Sequence, residues 1–274
     1  HGVGYALMAY ETAYLKANFP TEFICAKLTN ADGDSEKLSG LVYDAKLFGI
    51  DVTPPRVTHA NKDFDVITDN HIAFGLTALK GVGATAVSDM IKLSKDLKTF
   101  DDIIWKWATT KSKVTSATML ALIKGGALDD VQEQRVRGVA RLRLLDSLTD
   151  KERESVRALM QIETDIKDWI RFVRSISDDE KADQIKEKYG VAIPNVRRRA
   201  TIRELIKEYD SDELFDSKSQ RIVWEQFYLG ISLSGSEADV YKARHKCVDL
   251  VKNSSEDMRF EIAVCVDGVR EIVT

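Results

Sequence analysis

Apolar residues recur at near-helical spacing from the first turn of the chain. Tyr5, Met8, Ala9, Ala13 and Ala17 predict a helix over Gly2 to Phe19, ended by Pro20. Thr21 to Thr29 resumes as a second helix, with Phe23, Ile24, Ala26 and Leu28. Asp34 to Phe48 forms a third, carrying Leu38, Leu41, Val42, Ala45 and Phe48 on one side and capped by Gly49. Ile50 to Thr53 is a short extended piece before Pro54-Pro55, which cannot continue a helix. Residues 56 to 73 are polar with scattered β-branched positions, a loop with short strands such as Asn70 to Phe74. Gly75 to Asp129 reads as short helices broken by glycine, and Val131 to about Glu208 as long, charge-laced helix interrupted by Pro194 and Arg197-Arg198-Arg199. Ser217 to Leu229 and Asp239 to Asn253 are two further helices around the Gly/Ser-rich stretch Gly230 to Gly235. Strand-like alternation comes at the end: Arg259 to Val266, a turn at Asp267-Gly268, then Val269 to Thr274. The expected fold class is mainly α with a short β segment at the C-terminus.

The most informative local pattern is Phe74 to Ile91, FGLTALKGVGATAVSDMI. Leu76, Leu79, Val82, Ala86 and Ile91 mark a short helix, a tight turn at Gly81-Val82-Gly83 and a second helix from Ala84, a helix-hairpin-helix pattern. Two glycines let a backbone turn approach a phosphate with no side chain in the way. The amides of Gly81 to Thr85 are expected to point outward at a helix N-terminus, where the dipole favours an anion. Val82 anchors the turn in the core, and Lys80 adds charge. The competing reading is a packing corner whose glycines only allow two helices to come close. Ala117 to Leu128 (ATMLALIKGGAL) reads as a weaker second copy with its turn at Lys124, Gly125 and Gly126, and Lys106, Lys111 and Lys113 lie upstream. Two such hairpins hold the backbone of duplex DNA without reading its sequence.

Composition changes this picture little. Of 274 residues, 44% are hydrophobic and 31% charged, as in soluble globular chains rather than disordered ones. No apolar run approaches the roughly 20 residues that cross a bilayer, so no membrane partner is expected. The net charge is −4, which taken alone speaks against nucleic acid, but backbone amides bind phosphate without adding formal charge. The three cysteines, Cys25, Cys247 and Cys265, are far apart and show no metal-ligand spacing, which suits idle thiols in a reducing, cytoplasmic setting. The histidines His1, His59, His71 and His245 stand beside no nucleophile motif, so a small hydrolase is the least favoured reading.

Taken together, several stretches resemble the C-family DNA polymerases, the replicative polymerase III alpha subunits of bacteria. His1 to Pro20 (HGVGYALMAYETAYLKANFP) is similar to that family's fingers segment HSxAYAxxxYQTAYLKAxxP, with Gly2 for the usual Ser and Glu11 for the usual Gln. Phe23 to Thr29 resembles EFxAAxLT, Gly49 to Pro55 GIxVxPP, Phe74 to Gly83 FGLxAIKGVG, and Leu122 to Asp129 LIKxGAxD. Phe227 to Gly235, with YLGISLSG in its core, resembles LGxYLSGHP, with Ser236 and Glu237 in place of His and Pro. The match is dense over 1 to 130 and thin after 217. Between 131 and 216 nothing matches, and a lineage-specific segment, as in a phage-encoded member, is the expectation.

The resemblance implies four parts: the C-terminal part of a fingers domain (1–60), a tandem helix-hairpin-helix region (61–130), a charged helical region (131–257) and the start of an OB domain (258–274). It implies DNA replication, a nucleotidyltransferase activity seated elsewhere, and duplex DNA as partner. Lys80, Gly81, Val82, Gly83, Thr85, Lys111, Lys113, Lys124, Gly125 and Gly126 are the expected DNA contacts. His1 and Tyr5, one helical turn apart, are expected near the incoming nucleotide. Leu214 and Phe215, in Ser211 to Phe215 (SDELF), resemble a sliding-clamp peptide without its Gln. Arg197 to Arg199 are expected to meet phosphate or to pair with Glu204 and Glu208.

Metal-holding carboxylates, and with them Mg2+, are expected in an N-terminal palm-containing part of the polymerase that precedes His1. Asp101-Asp102 and Asp178-Asp179 read as helix-start residues rather than metal ligands. Both ends are expected to lie inside a longer protein. A stand-alone helix-hairpin-helix module of a repair or recombination protein is the alternative; it leaves the matches at 1–29 and 230–235 unexplained. On the polymerase reading, the purified 274-residue chain should incorporate no nucleotide on primed DNA with Mg2+, as a primer-extension gel would report.

Overall fold

Side chains that accept a backbone hydrogen bond stand at the start of most helices. Asp34, Thr99, Thr115, Thr149, Asp168, Asp178, Asn195 and Ser217 each cap the helix that follows. At Thr149 the cap is reciprocal: its hydroxyl accepts from Glu152 N–H, and the Glu152 carboxylate accepts from Thr149 N–H. A computed structural model describes residues 1–31, 34–58, 61–132, 134–163, 168–211 and 213–236. The expected helix at Asp239–Asn253 and the strands of 259–274 lie outside these residues.

Three helices open the chain: α1 (Gly2–Asn18), α2 (Pro20–Thr29) and α3 (Ser35–Leu47). Pro20 starts α2 as well as stopping α1, because a first-turn position needs no N–H. Gly49, with φ +70, turns the chain out of α3. A small sheet follows, made of β1 (Asp51–Thr53), β2 (Asp65–Thr68) and β3 (His71–Ala73) in the order β1-β3-β2. β1 pairs parallel to β3 with Val52 opposite Ile72, and β2 pairs antiparallel with Val66 opposite Ile72. A 3-10 turn, Leu76–Ala78, leads to α4 (Ala84–Ser94), α5 (Phe100–Thr109) and α6 (Ser116–Lys124). The charge-laced segment resolves into α7 (Arg135–Ser147), α8 (Asp150–Ile162), α9 (Trp169–Ser177), α10 (Asp179–Tyr189) and α11 (Val196–Asp210), and α12 (Lys218–Leu229) comes last. The fold is therefore mainly α, as the apolar spacing implies.

A single apolar core runs from Ile24 to Ile231. It carries Ile72 and Phe74 of the sheet region, Met90 of α4, Ile103 of α5, Leu122 of α6, Leu144 of α7, Val173 of α9 and Ile202 of α11. Trp105 and Trp169 stack at 5.8 Å between centroids, joining α5 to α9. Helix α1 stands apart, with no buried residue; Val3, Tyr5, Met8 and Tyr10 are all exposed.

The core also encloses charge. Arg135 is 1% exposed and Glu225 fully buried, with Arg135 Nη2 2.9 Å from Glu225 Oε1. Arg135 also donates to Asp129 Oδ2 at 2.7 Å and to the Lys124 carbonyl at 3.1 Å. Glu225 accepts in addition from the Ser234 hydroxyl at 2.6 Å and from the N–H groups of Leu233 and Ser234 at 2.8 Å. Asp216 reaches across to the start of α7 and accepts from the N–H groups of Arg135 and Val136. Burial alone would raise the Glu225 pKa, but Ser234 and Arg135 hold it below the ordinary carboxylate value.

We expect Arg135→Ala, which strands a buried carboxylate, to cost about 3–5 kcal/mol in urea unfolding. Arg143→Ala, which removes an exposed pair with Glu208, should cost no more than about 1 kcal/mol. Because the folded pKa of Glu225 is depressed, its stabilisation is present above the unfolded pKa and lost as pH falls through the folded one. The acid limb of a stability-versus-pH curve should therefore flatten in Glu225→Gln.

Candidate nucleic-acid interface

The first hairpin is built outward from its buried residues. Leu76, Leu79 and Val82 are 0%, 2% and 6% exposed and fix the turn to the core. Val82 N–H donates to the Leu79 carbonyl at 3.1 Å. Gly81 has φ +87, a left-handed conformation that only glycine adopts without strain. Gly83 is the N-cap of α4 and offers no side chain to its first turn, while Gly81, Gly83, Ala84 and Thr85 are exposed. The first amides of a helix have no carbonyl one turn earlier, so the α4 N-terminus presents open N–H groups to solvent.

The space around the glycines speaks against mere close packing. A Cβ built at Gly81 or Gly83 would meet nothing within 4 Å. Neither glycine is there to let two helices touch. Gly75 is the packing glycine of this element: its Cβ would lie 2.5 Å from the Asp63 carbonyl carbon.

The second hairpin is displaced from the position the sequence suggests. Gly125 and Gly126 are buried, and their N–H groups are engaged by the carbonyls of Ala121 at 2.8 Å and Ile123 at 3.2 Å. A Cβ at Gly126 would lie 2.4 Å from Arg135 Nη2, and no helix starts until Arg135 itself. This turn ends α6 and seats Arg135; it does not present amides to a phosphate.

The counterpart of the first hairpin lies between α5 and α6, at Thr110 to Thr115. Val114 is 4% exposed and holds that turn in the core, as Val82 holds the first. Trp107 Nε1–H donates to the Val114 carbonyl at 2.7 Å, and Lys113 N–H to Asp89 of α4 at 2.9 Å. Helix α6 begins right after Val114-Thr115, as α4 begins right after Val82-Gly83. The Thr118 hydroxyl lies 3.4 Å from the Gly81 carbonyl, so the two helix starts are neighbours. The two differ chemically: Thr115 caps α6 with its own hydroxyl, whereas Gly83 leaves α4 uncapped. Lys111 and Lys113 are exposed on the second turn.

Helix α12 flanks the first hairpin and the end of α6. Lys80 N–H donates to the Tyr228 carbonyl at 2.8 Å, and Lys80 Nζ sits 4.3 Å from the Phe227 ring centroid. Lys124 Nζ lies 5.1 Å from the Trp224 ring, and burial, with Arg143 nearby, lowers its pKa.

The remaining expected residues fall elsewhere. His1 is the N-cap of α1 and accepts from Tyr5 N–H at 3.1 Å; both side chains are exposed. Leu214 is half-buried and Phe215 is 63% exposed, next to the pinned Asp216. Arg198 pairs with Glu152, and Arg199 with Asp179 at 2.9 Å, rather than with Glu204 or Glu208. Those two acids pair with Lys207 and Arg143. Asp101 and Asp102 occupy the first turn of α5, and Asp178 caps α10. Cys25 is buried, and that burial, with Asp65 and Glu22 nearby, pushes its thiol up to about 11. Among the described residues no group of His, Cys, Asp and Glu is arranged to hold a metal ion, and no helix is long and apolar enough to cross a membrane.

Paired helix starts on buried valines, with exposed lysines beside them, define a helix-hairpin-helix element, and residues 49–137 match the family described as the helix-hairpin-helix motif. The chain is also similar to bacterial DNA polymerase III alpha subunits. It is 37% identical to that of Aquifex aeolicus over 138 residues, 49% of this chain and 12% of the relative. It is 37% identical to that of Bacillus subtilis over 136 residues, with the same coverage, and 36% identical to that of Thermus aquaticus over 132 residues, 47% and 11%. The chain thus spans about an eighth of these relatives. The resemblance to the C-family polymerases holds over about half of its own length.

Three elements of this surface escape the sequence pattern. Arg135 and Glu225 are two among 84 charged residues, with nothing local to mark them. The Thr110 to Thr115 turn has no glycine; its only signal is Val114-Thr115 ahead of the apolar Met119 and Leu122. In urea unfolding we expect Gly75→Ala to lower stability clearly, because backbone must move, while Gly83→Ala leaves it within about 0.5 kcal/mol of the parent.

Proposed function

We propose that this chain is the duplex-holding part of a replicative DNA polymerase. The observation that carries this reading is the uncapped, exposed start of α4 on a buried Val82, beside a second helix start with Lys111 and Lys113. Adjacent helix N-termini meet successive phosphates through N–H groups that carry no base information, so binding is independent of sequence. The lysines add a salt-dependent attraction. Similarity to polymerase III alpha subunits supplies the setting: behind an active site that uses metal ions on another part of the polymerase, product duplex must be held at every sequence.

On the same reading α1 serves the other end of the task. Its exposed tyrosines and aliphatic residues form a surface for the nucleotide-binding part of the polymerase, with His1 and Tyr5 near the incoming nucleotide or template. The exposed ring of Phe215 beside Leu214 is available to a hydrophobic pocket of a sliding clamp.

Gly83→Val places a side chain in open space at the α4 start without straining the backbone. Fluorescence anisotropy at moderate salt should show weaker binding by about tenfold for Gly83→Val, equally for AT-rich and GC-rich duplexes. Unchanged affinity, or a loss confined to one sequence, would count against the reading.

A further inference from the structure

Beside the first hairpin lies a cleft of about 700 Å³. Its floor is apolar: Leu38 and Phe64 are buried, and the Phe64 ring leans on Phe74 with centroids 4.5 Å apart. Its rim is polar, with Asp63 and Gln226 exposed. One wall is Phe227, 56% exposed, with the Lys80 ammonium over its ring.

The cleft and the hairpin form one continuous surface. Lys80 stands immediately before Gly81, and the bond from its N–H to the Tyr228 carbonyl ties the hairpin to the end of α12. Helix α12 lies outside the segment that matches the helix-hairpin-helix family, so the motif itself does not supply this wall. An apolar floor with a few polar groups at its rim suits a heteroaromatic ring. An exposed aromatic side chain with a cation beside it suits a base still attached to its phosphate. A lining of one cation and one acid does not suit a polyanion or an acidic peptide.

We propose that this cleft takes one unpaired nucleobase of a single-stranded extension leaving the duplex that the hairpin holds. Phe227 stacks on the base, and Lys80 turns to the adjoining phosphate. The inference rests on duplex binding at Gly81 to Thr85.

The test measures binding of the 274-residue chain to a blunt duplex and to the same duplex with a short single-stranded extension. The parent should bind the extended DNA about tenfold more tightly, the order expected for one stacked base. Ser35→Trp, at an exposed first-turn position of α3 on the cleft's edge, should abolish that gain and leave blunt-duplex affinity unchanged. Phe227→Ala should also abolish the gain. Equal binding of the two DNAs by the parent, or a gain that survives both substitutions, overturns the cleft and leaves the hairpin reading standing. Failure of the parent to bind the blunt duplex overturns the hairpin reading, and the cleft with it.

Discussion

The buried pair of Arg135 and Glu225 is the constraint on which the rest of this surface depends. Both charges are out of water, a costly arrangement unless every lone pair and proton is met. The cost is offset because each group holds several backbone segments at once. Arg135 gathers the end of α6 through the Lys124 carbonyl and the following turn through Asp129. Glu225 gathers the loop after α12 through the N–H groups of Leu233 and Ser234. Asp216 secures the other side by capping α7 through Arg135 and Val136 N–H. Segments far apart in sequence are thus held to one another by a single knot of charge. The position of α12 follows from it, and with α12 the stacking of Lys80 on Phe227 and of Lys124 on Trp224.

The same economy of charge makes the proposed DNA surface compatible with a chain of net charge −4. In the helical segment after α6 several guanidiniums face acids: Arg141 with Asp101, Arg174 with Asp210, Arg198 with Glu152, and Arg199 and Arg203 with Asp179. Those pairs organise helix packing and leave little net field. At the hairpins Lys111 and Lys113 are exposed, and the α4 start offers amides instead of side chains. Helix dipoles and orphan N–H groups act over one turn and do not enter the formal charge. Net charge is therefore a poor guide to this class of binding surface, which is set by where amides point.

Much of this was legible in the sequence. Apolar spacing locates α1, α2, α3 and α12 to within a residue or two, and the start of α4; all but α1 bury one stripe, and α1 is marked instead by its stop at Pro20. Gly81-Val82-Gly83 is legible because φ +87 at Gly81 and an open α4 start both demand small residues. Strand β2 is less so: Asp65–Thr68 is mostly exposed, and its pairing with β3 is long-range information that no local pattern carries. The network of Arg135 and Glu225 is invisible for the same reason, since the two residues lie 90 positions apart.

The misplaced second turn shows how glycine misleads. A glycine is favoured wherever φ is positive or backbone is crowded, and only the first of these, with open space outward, suits the approach of a phosphate. Gly126 satisfies the torsional criterion with φ +84, yet Arg135 fills the space its side chain would need. Its glycine is a helix stop beside a buried cation. The actual partner turn uses Val114 as anchor and Thr115 as cap, which a backbone with ordinary torsions permits. The shared feature of the two hairpins is the buried valine followed at once by a helix start. A search for paired hairpins should therefore look for that anchor and the helix behind it, with glycine as one of several residues able to precede the first turn.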